Sequence, residues 1–144
     1  MGTLPDGIYR MSLDEQQRLT IMDEGSVVLL PAQDEGQEFE VRCSSGDDYS
    51  ITMPTRIWPA RYLCYDAAGA PPHKGDRVRL RVSEFPPCQW KITQGSRQGN
   101  FTIVVSGVDL TMGIAPVKVY PPWLELTSTA DEGRGWNFEF VREP

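Results

Sequence analysis

Histidine is almost absent from this sequence of 144 residues, and cysteine is scarce. There are one histidine, His73, and three cysteines, Cys43, Cys64 and Cys88. No cysteine has the C-x-x-C or C-x-x-H spacing that begins many zinc and redox sites. His73 lies in a turn-like stretch, residues 69–75, with no sign of the rigid support that a catalytic triad needs. We therefore expect no metal site, no catalytic histidine and three reduced thiols.

Basic charge and long apolar runs are also lacking. Lys and Arg number 14 and Asp and Glu number 20, which gives a formal net charge of -6. This balance argues against a uniform electrostatic hold on nucleic acid or on an anionic membrane. The first residues, MGTLPDGIYRM, do not have the basic and then apolar order of a signal peptide, and no transmembrane helix is indicated. We predict a cytoplasmic protein that binds neither nucleic acid nor membrane.

Long helices are excluded by the frequent interruptions of the chain, which has 13 glycines and 12 prolines. Between these interruptions lie short alternating runs rich in β-branched and aromatic residues, which are typical of strands. The runs cover residues 7–11, 18–22, 26–32, 38–43, 48–54, 61–66, 77–83, 89–94, 100–106, 110–122 with a break, 123–129 and 136–143. The class is therefore predicted as all-β.

Two local signals refine this pattern. Ser12 and Glu15 have the spacing of a capping box, which leaves a short helical turn as an alternative at this point. The turn sequence Asp23-Glu24-Gly25 lies between two apolar runs and favours a hairpin.

Aromatic residues recur at nearly regular intervals in two series. One series opens a unit and the other closes it: the opening residues are Tyr9, Tyr49 and Phe101, and the closing residues are Phe39, Trp90 and Phe138. Each of the first two closing aromatics is followed after about ten residues by the next opening aromatic. The last closing strand pairs with the first opening strand if the two ends of the chain meet.

Four strands per unit and three units of about 48 residues account for the whole length. This arithmetic predicts a β-trefoil of twelve short strands with pseudo-threefold symmetry, in which the closing aromatics fill a common barrel. We expect one domain over 1–144, with units of roughly 5–45, 46–96 and 97–144.

Carboxylates are concentrated in turns as adjacent pairs. The pairs are Asp14-Glu15, Asp23-Glu24, Asp34-Glu35, Asp47-Asp48 and Asp131-Glu132. Adjacent side chains diverge, and no calcium-loop sequence is present, so these pairs are predicted to be solvated turns. With no convergent acid, base or metal set, the sequence does not indicate an enzyme.

The segment Pro54–Pro59 has the properties of a protease-inhibitory loop. Its terminal prolines favour an extended backbone, and Arg56 followed by Ile57 offers the basic residue that trypsin-like enzymes accept. The predicted reactive residues are Thr55, Arg56, Ile57 and Trp58. The alternative is a plain connecting loop in which Trp58 covers the core. Two glycine-flanked loops, carrying Arg97 and Arg134, are alternative reactive sites.

The sequence resembles the β-trefoil protease inhibitors of mushrooms, specifically the serine-protease inhibitors of the cospin and cnispin type. The similarity lies in LPDGIYRM, VVLLPAQ before QEFEVR, CQWKITQ followed by NFTIV, and IAPVKVYPPW before WNFEFVRE. The resemblance implies a single β-trefoil domain without a cofactor, which inhibits a trypsin-like or chymotrypsin-like protease through a surface loop as part of fungal defence. The partner would be the target protease, and we expect a monomer.

In that family the activity lies in loops that include the one between strands two and three and the one between strands eleven and twelve. Here the former is reduced to residues 23–25 without a basic residue, so the resemblance points to Arg134. The related mycocypins, clitocypin and macrocypin, inhibit papain-like proteases and legumain through loops that include the connection between strands five and six. Arg56 falls in that connection, so inhibition of a cysteine protease stays open.

A carbohydrate-binding β-trefoil lectin is the second class of function. Trefoils commonly hold sugars with an aromatic ring and with Asp and Asn side chains, but the polar set expected in all three units is not visible. Only Gln89 before Trp90 has some likeness to it. A third reading is an interaction module that uses Trp58, Trp123 and Trp136.

Overall fold

The computed structural model describes residues 4–22, 25–33, 35–54, 61–65, 72–82, 88–94, 100–116, 118–128 and 135–144. In these ranges the chain forms twelve strands, and every predicted run overlaps one of them. The strands are β1 Gly7–Asp14, β2 Gln17–Ile21, β3 Val27–Leu30, β4 Phe39–Ser45, β5 Asp48–Thr52, β6 Arg61–Tyr65, β7 Val78–Val82, β8 Trp90–Gln94, β9 Asn100–Val105, β10 Leu110–Ile114, β11 Leu124–Ser128 and β12 Trp136–Arg142.

Six of these strands close a barrel. They pair in the order β1, β4, β5, β8, β9 and β12, and β12 returns to β1, with every pair antiparallel. The other six form three hairpins, β2–β3, β6–β7 and β10–β11. A six-stranded barrel with three hairpins is the β-trefoil that the sequence predicts. The division into units at residues 5–45, 46–96 and 97–144 stays a prediction.

The three hairpins are joined to one another by the same backbone hydrogen bond. In each case the third residue of a hairpin's second strand donates its N–H to the carbonyl two residues before the second strand of another hairpin. The pairs are Leu29 to Pro122, Leu80 to Gly25 and Leu126 to Asp76, at 2.9, 2.9 and 2.8 Å. The pseudo-threefold symmetry therefore extends to individual hydrogen bonds.

The helical alternative at Ser12–Glu15 is wrong. β1 continues to Asp14, and Ser12 pairs with Arg18 across the β1–β2 hairpin. The turn is stabilised locally, because an Asp14 carboxylate oxygen accepts the N–H of Gln16 at 2.8 Å. A polar side chain near the start of an apolar run can stabilise either a hairpin turn or a helix N-terminus. Here the pairing of β1 with β2 selects the hairpin turn.

The predicted hairpin after Ile21 is confirmed. β2 and β3 pair from Arg18 with Leu30 to Ile21 with Val27. Gly25 closes the turn with a φ of 84°, a left-handed conformation that favours glycine, and its N–H donates to the Met22 carbonyl at 3.0 Å.

The aromatic residues of the barrel, which are buried except for the partly buried Phe101, confirm five members of the two predicted series and correct the sixth. Cross-strand pairs join Tyr9 with Phe39, Tyr49 with Trp90, and Phe101 with Trp136. The third closing aromatic is thus Trp136, which is 1% exposed, and not Phe138, which lies partly buried beside the core.

The reason for this error is the two-residue period of a strand. Trp136, Phe138 and Phe140 alternate with polar residues on β12 and therefore share one face. Phe140 is 50% exposed at the far end of that face, where its ring meets the edge of Tyr9. The pattern identifies the face, but only the register with β9 selects the residue that enters the core.

The expectation of three reduced thiols is wrong for two of them. Cys64 on β6 and Cys88 just before β8 form a disulfide, with their Cα atoms 5.4 Å apart, whereas Cys43 is free and exposed. Residues close to the two cysteines hold these segments together, because the Trp90 indole N–H donates to the Leu63 carbonyl at 2.9 Å. This contact depends on the barrel and is not visible in the cysteine spacing.

Candidate functional site

The residues predicted to carry inhibition lie outside the described part of the chain. They are Thr55, Arg56, Ile57, Trp58, Arg97 and Arg134. The structure does describe the strands on either side of the Arg56 loop. Thr52 of β5 pairs with Tyr62 of β6, and the Met53 N–H donates to the Arg61 carbonyl at 3.2 Å. The two ends of this connection are therefore held together.

An open groove of about 610 Å³ lies beside the β1–β2 turn. It is lined by Asp14, Glu15, Gln16, Gln17, Leu29, Tyr120 and Pro122. The turn supplies the polar side, β3 supplies Leu29, and the β10–β11 connection supplies an aromatic ring and a proline. We call this site the Tyr120 groove.

The β10–β11 connection is attached to β3 immediately after Tyr120. The Pro122 carbonyl accepts the Leu29 N–H, and Trp123 forms an isolated β-bridge with Val28. The Trp123 ring is covered by the Arg77 guanidinium, whose central carbon lies 4.7 Å from the ring centroid. Two consecutive prolines also restrict the backbone after Tyr120. The Tyr120 ring is therefore attached to a segment of backbone that is held in place by β3 and by the two prolines.

Tyr120 itself is 76% exposed, which is unusual for a large aromatic residue in a folded domain. Ile114, at the end of β10, and Val119, directly before Tyr120, are also exposed. Exposed apolar groups that are grouped together commonly mark a binding surface. An aromatic ring with an open face and a hydroxyl at its edge offers both apolar and hydrogen-bonding contacts.

The β1–β2 turn contributes carboxylates and primary amides to the lining of the groove. One Asp14 oxygen is engaged by the Gln16 N–H, while Glu15 is exposed and has no hydrogen bond or ion pair within the described residues. Gln17 is half-buried at the start of β2. Together these side chains present several hydrogen-bond acceptors and donors to a ligand in the groove.

Asp14 and Glu15 are both exposed, as a solvated turn predicts, although Asp14 is the last residue of β1. Sequence reasoning did not identify Tyr120 as a site residue, because residues 110–122 were interpreted as a broken strand. The available signal was an aromatic residue followed directly by two prolines outside any clear alternation.

None of the described tryptophans is an exposed residue. Trp90 and Trp136 are buried, and Trp123 is covered by Arg77. Gln89, the lectin-like residue before Trp90, forms a hydrogen bond with the Ser44 hydroxyl. The Gln89-Trp90 pair thus belongs to the barrel framework, and Trp58 lies outside the described residues.

Two buried tyrosine hydroxyls serve the N-terminal segment. Tyr9 donates to the Pro5 carbonyl at 2.6 Å, and burial, with smaller effects of Tyr49 and Asp6, raises the pKa of Tyr9 to about 12. Tyr49 donates to the Leu4 carbonyl and accepts the Leu4 N–H, and its pKa is also raised, chiefly by burial. Both hydroxyls therefore have structural partners.

Neither a metal centre nor a membrane-spanning helix is found in the described ranges. Among these residues, no group of three or more His, Cys, Asp or Glu side chains is placed to hold a metal ion. They also contain no helix of the length and apolar character needed to cross a bilayer.

Comparison with solved structures gives clear relatives in fold. A ricin B-like lectin from Macrolepiota procera, solved in complex with lactose, has a TM-score of 0.76 at 15% identity, covering 98% of this chain and 100% of the lectin chain. The designed threefold-symmetric protein ThreeFoil has a TM-score of 0.75 at 12% identity, covering 94% of this chain and 100% of its own.

A third similar structure is the Polyporus squamosus lectin bound to a human-type influenza-binding epitope. Its TM-score is 0.70 at 14% identity, and the match covers 97% of this chain and 51% of the lectin chain. No protein-family model matches this sequence, and no curated protein matches it either. At these identities the likeness establishes the β-trefoil fold.

Proposed function

We propose that this protein binds carbohydrate in the Tyr120 groove. The observation that carries the proposal is the 76% exposed residue Tyr120, which lines the same groove as carboxylate and amide side chains. A pyranose has an apolar C–H face and a rim of hydroxyls. The face packs on an aromatic ring, and the rim hydrogen-bonds to planar polar side chains, so both parts of a sugar have a matching surface here.

The comparisons support this proposal at the level of fold. Two of the similar structures are lectins, one with lactose and one with a sialylated epitope. They favour carbohydrate binding over the protease inhibition that the sequence resemblance implied. The site proposed here rests on the groove itself, because the likeness in sequence is too low to transfer any binding residue.

The experiment is a glycan array followed by calorimetric titration of the best glycans. Tyr120→Ala removes the stacking surface and should abolish measurable binding, while Tyr120→Phe keeps the ring and should retain most of it. Val108→Ala, at an exposed apolar residue outside the groove, is the matched control and should bind as the parent does. Absence of binding to any glycan, or full binding by Tyr120→Ala, would refute the proposal.

Inhibition of a serine protease is a second candidate function. The specific observation in its favour is the fixed base of the Arg56 loop, where the Met53–Arg61 hydrogen bond joins the two ends and the Cys64–Cys88 disulfide anchors β6. A loop with fixed ends loses less conformational entropy on entering an active site. The candidate reactive residues remain Thr55, Arg56, Ile57 and Trp58, with Arg97 and Arg134 as alternatives.

Titration of trypsin, chymotrypsin, papain and legumain with the purified protein tests this second function. Arg56→Ala should remove trypsin inhibition if that loop carries it, with Arg97→Ala and Arg134→Ala as matched variants in the other loops. Loss of inhibition in one of those variants would move the site there, and inhibition of papain or legumain would favour the mycocypin-like alternative. Cytoplasmic location, a monomeric state and the lack of enzymatic activity stay predictions.

A further inference from the structure

We infer that the Tyr120 groove prefers amine-bearing saccharides to their neutral counterparts and disfavours anionic ones. This inference rests on the proposed carbohydrate site and names the chemical class of its ligand. It follows from a difference between Glu15 in the groove and the glutamates elsewhere on the described surface that are paired with arginines.

Three glutamates on or beside the barrel strands β4 and β12 are paired with arginines. Glu38 contacts Arg10 at 3.2 Å and Arg142 at 2.8 Å, and Glu139 lies 3.4 Å from Arg10. Glu40 is paired with Arg42 in the same way. In each case the negative charge is offset within the protein, so this surface presents alternating charge and little net field.

The groove differs in this respect. Among its described lining residues none is Lys or Arg, and Glu15 has no ion pair within the part of the chain that the structure describes. The nearest described cation along the chain on the β10–β11 side is Lys118, which is exposed and does not line the groove. Asp14 also lines the groove, but its carboxylate already has partners within the protein, among them the Gln16 N–H. The groove therefore keeps an acidic character, in a protein of formal net charge -6.

A cationic amino group on a sugar would match this arrangement. The C–H face of the sugar would pack on Tyr120 while its ammonium group donates to the Glu15 carboxylate in a charge-assisted hydrogen bond. The electron-rich face of the tyrosine ring also attracts a nearby ammonium group. A sugar that bears a carboxylate would meet the Glu15 carboxylate and the net negative charge, with no groove cation to offset them.

The size of the preference follows from the exposure of Glu15. An exposed ion pair in high dielectric contributes modestly, and we expect roughly fivefold tighter binding of the amine-bearing ligand than of its neutral counterpart. Salt screens such pairs, so the ratio should fall towards one as ionic strength rises.

Calorimetric titration with matched ligands tests the inference. The probes are an oligomer of β-1,4-linked glucosamine, the same oligomer fully N-acetylated, and lactose with its sialylated counterpart. The proteins are the parent, Glu15→Gln, and Glu143→Gln, whose exposed carboxylate lies outside the groove.

We expect Glu15→Gln to lose the roughly fivefold preference for the amine-bearing oligomer and to leave binding of the N-acetylated oligomer unchanged. Glu143→Gln should behave as the parent protein. Equal binding of the two oligomers by the parent, an unchanged preference in Glu15→Gln, or sialylated lactose bound as tightly as lactose would overturn the inference alone. No binding of any of the four ligands by the parent would overturn the proposed function with it.

Discussion

The barrel and the Tyr120 groove use aromatic residues in opposite ways. Every unit contributes a cross-strand aromatic pair to the barrel, whereas Tyr120, the most exposed aromatic residue in the part of the chain that the structure describes, belongs to one hairpin connection. The acceptors of the hydrogen bonds between hairpins give a common reference point in the three units. Two residues before the acceptor, the sequence has Tyr120 in one unit and Asp23 and Lys74 in the other two. Burial imposes a similar solution on all three units, and the surface is where one unit departs from the others.

The largest effect should distinguish these two regions directly. Trp90 is fully buried and its indole donates to the Leu63 carbonyl, so Trp90→Ala should lower the free energy of unfolding by about 3–5 kcal/mol. Tyr120→Ala should change it by no more than about 0.5 kcal/mol. Urea denaturation followed by circular dichroism measures both. Comparable losses in the two variants would break the comparison.

The disulfide should give the next largest effect. Cys64 and Cys88 are 24 residues apart in sequence, and removal of a cross-link over such a loop costs roughly 3 kcal/mol. The double variant Cys64→Ala with Cys88→Ala should lose this stability, and a reductant should have no further effect on it. Cys43→Ala is the control and should unfold as the parent protein does.

Removal of the disulfide should not affect carbohydrate binding. The groove is formed by the β1–β2 turn, β3 and the β10–β11 connection, none of which contains the disulfide. The folded double variant should therefore bind glycan with parental affinity at a temperature well below its unfolding midpoint. Loss of binding without loss of folding would mean that the two regions are coupled.

A smaller effect is expected at Gln37, a fully buried polar residue between β3 and β4. Its side-chain amide donates to the Thr20 hydroxyl at 3.0 Å and to the Pro31 carbonyl at 2.9 Å, and it accepts the Gln33 N–H at 3.0 Å. Gln37→Leu would leave buried partners unsatisfied and should cost about 1–3 kcal/mol in urea denaturation. Gln33→Leu, on the more exposed side chain, should cost less. The reverse order would contradict the role assigned to Gln37.

The smallest effect depends on pH. The pKa of Tyr9 is raised to about 12 from the ordinary value of 10, so the folded state holds this proton more tightly than the unfolded state. This contribution to stability is fully present below pH 10 and is lost as the pH rises through about 12. Between pH 9 and pH 11, the thermal unfolding midpoint should fall further for the parent protein than for Tyr9→Phe. Identical pH profiles would remove Tyr9 as a cause.

The strands and most of the core could be predicted because each depends on a local pattern. Alternation located all twelve strands, and the spacing of Tyr9, Tyr49 and Phe101 indicated the three units. Trp136 was missed because alternation identifies a face and not a level in the barrel. The Cys64–Cys88 disulfide was missed because the approach of β6 to β8 is a property of the closed barrel.

The Tyr120 groove could not be predicted for a related reason. Its lining comes from residues 14–17, Leu29, Tyr120 and Pro122, which are distant in sequence and meet only when the third hairpin packs on the first. Each part is unremarkable in the sequence, as a turn, a strand residue and a proline-rich connection. The hydrogen bond from Leu29 to Pro122 and the β-bridge between Val28 and Trp123 place β3 and the β10–β11 connection side by side.

The three hydrogen bonds between hairpins have a consequence for how the molecule opens. They connect the three hairpins in a ring. β3 donates to the segment just before β11, β11 donates to the segment just before β7, and β7 donates to the segment just before β3. Displacement of one hairpin breaks two of these bonds, so partial unfolding of a single unit is disfavoured. The amide protons of Leu29, Leu80 and Leu126 should therefore exchange with solvent at one common slow rate, that of global unfolding.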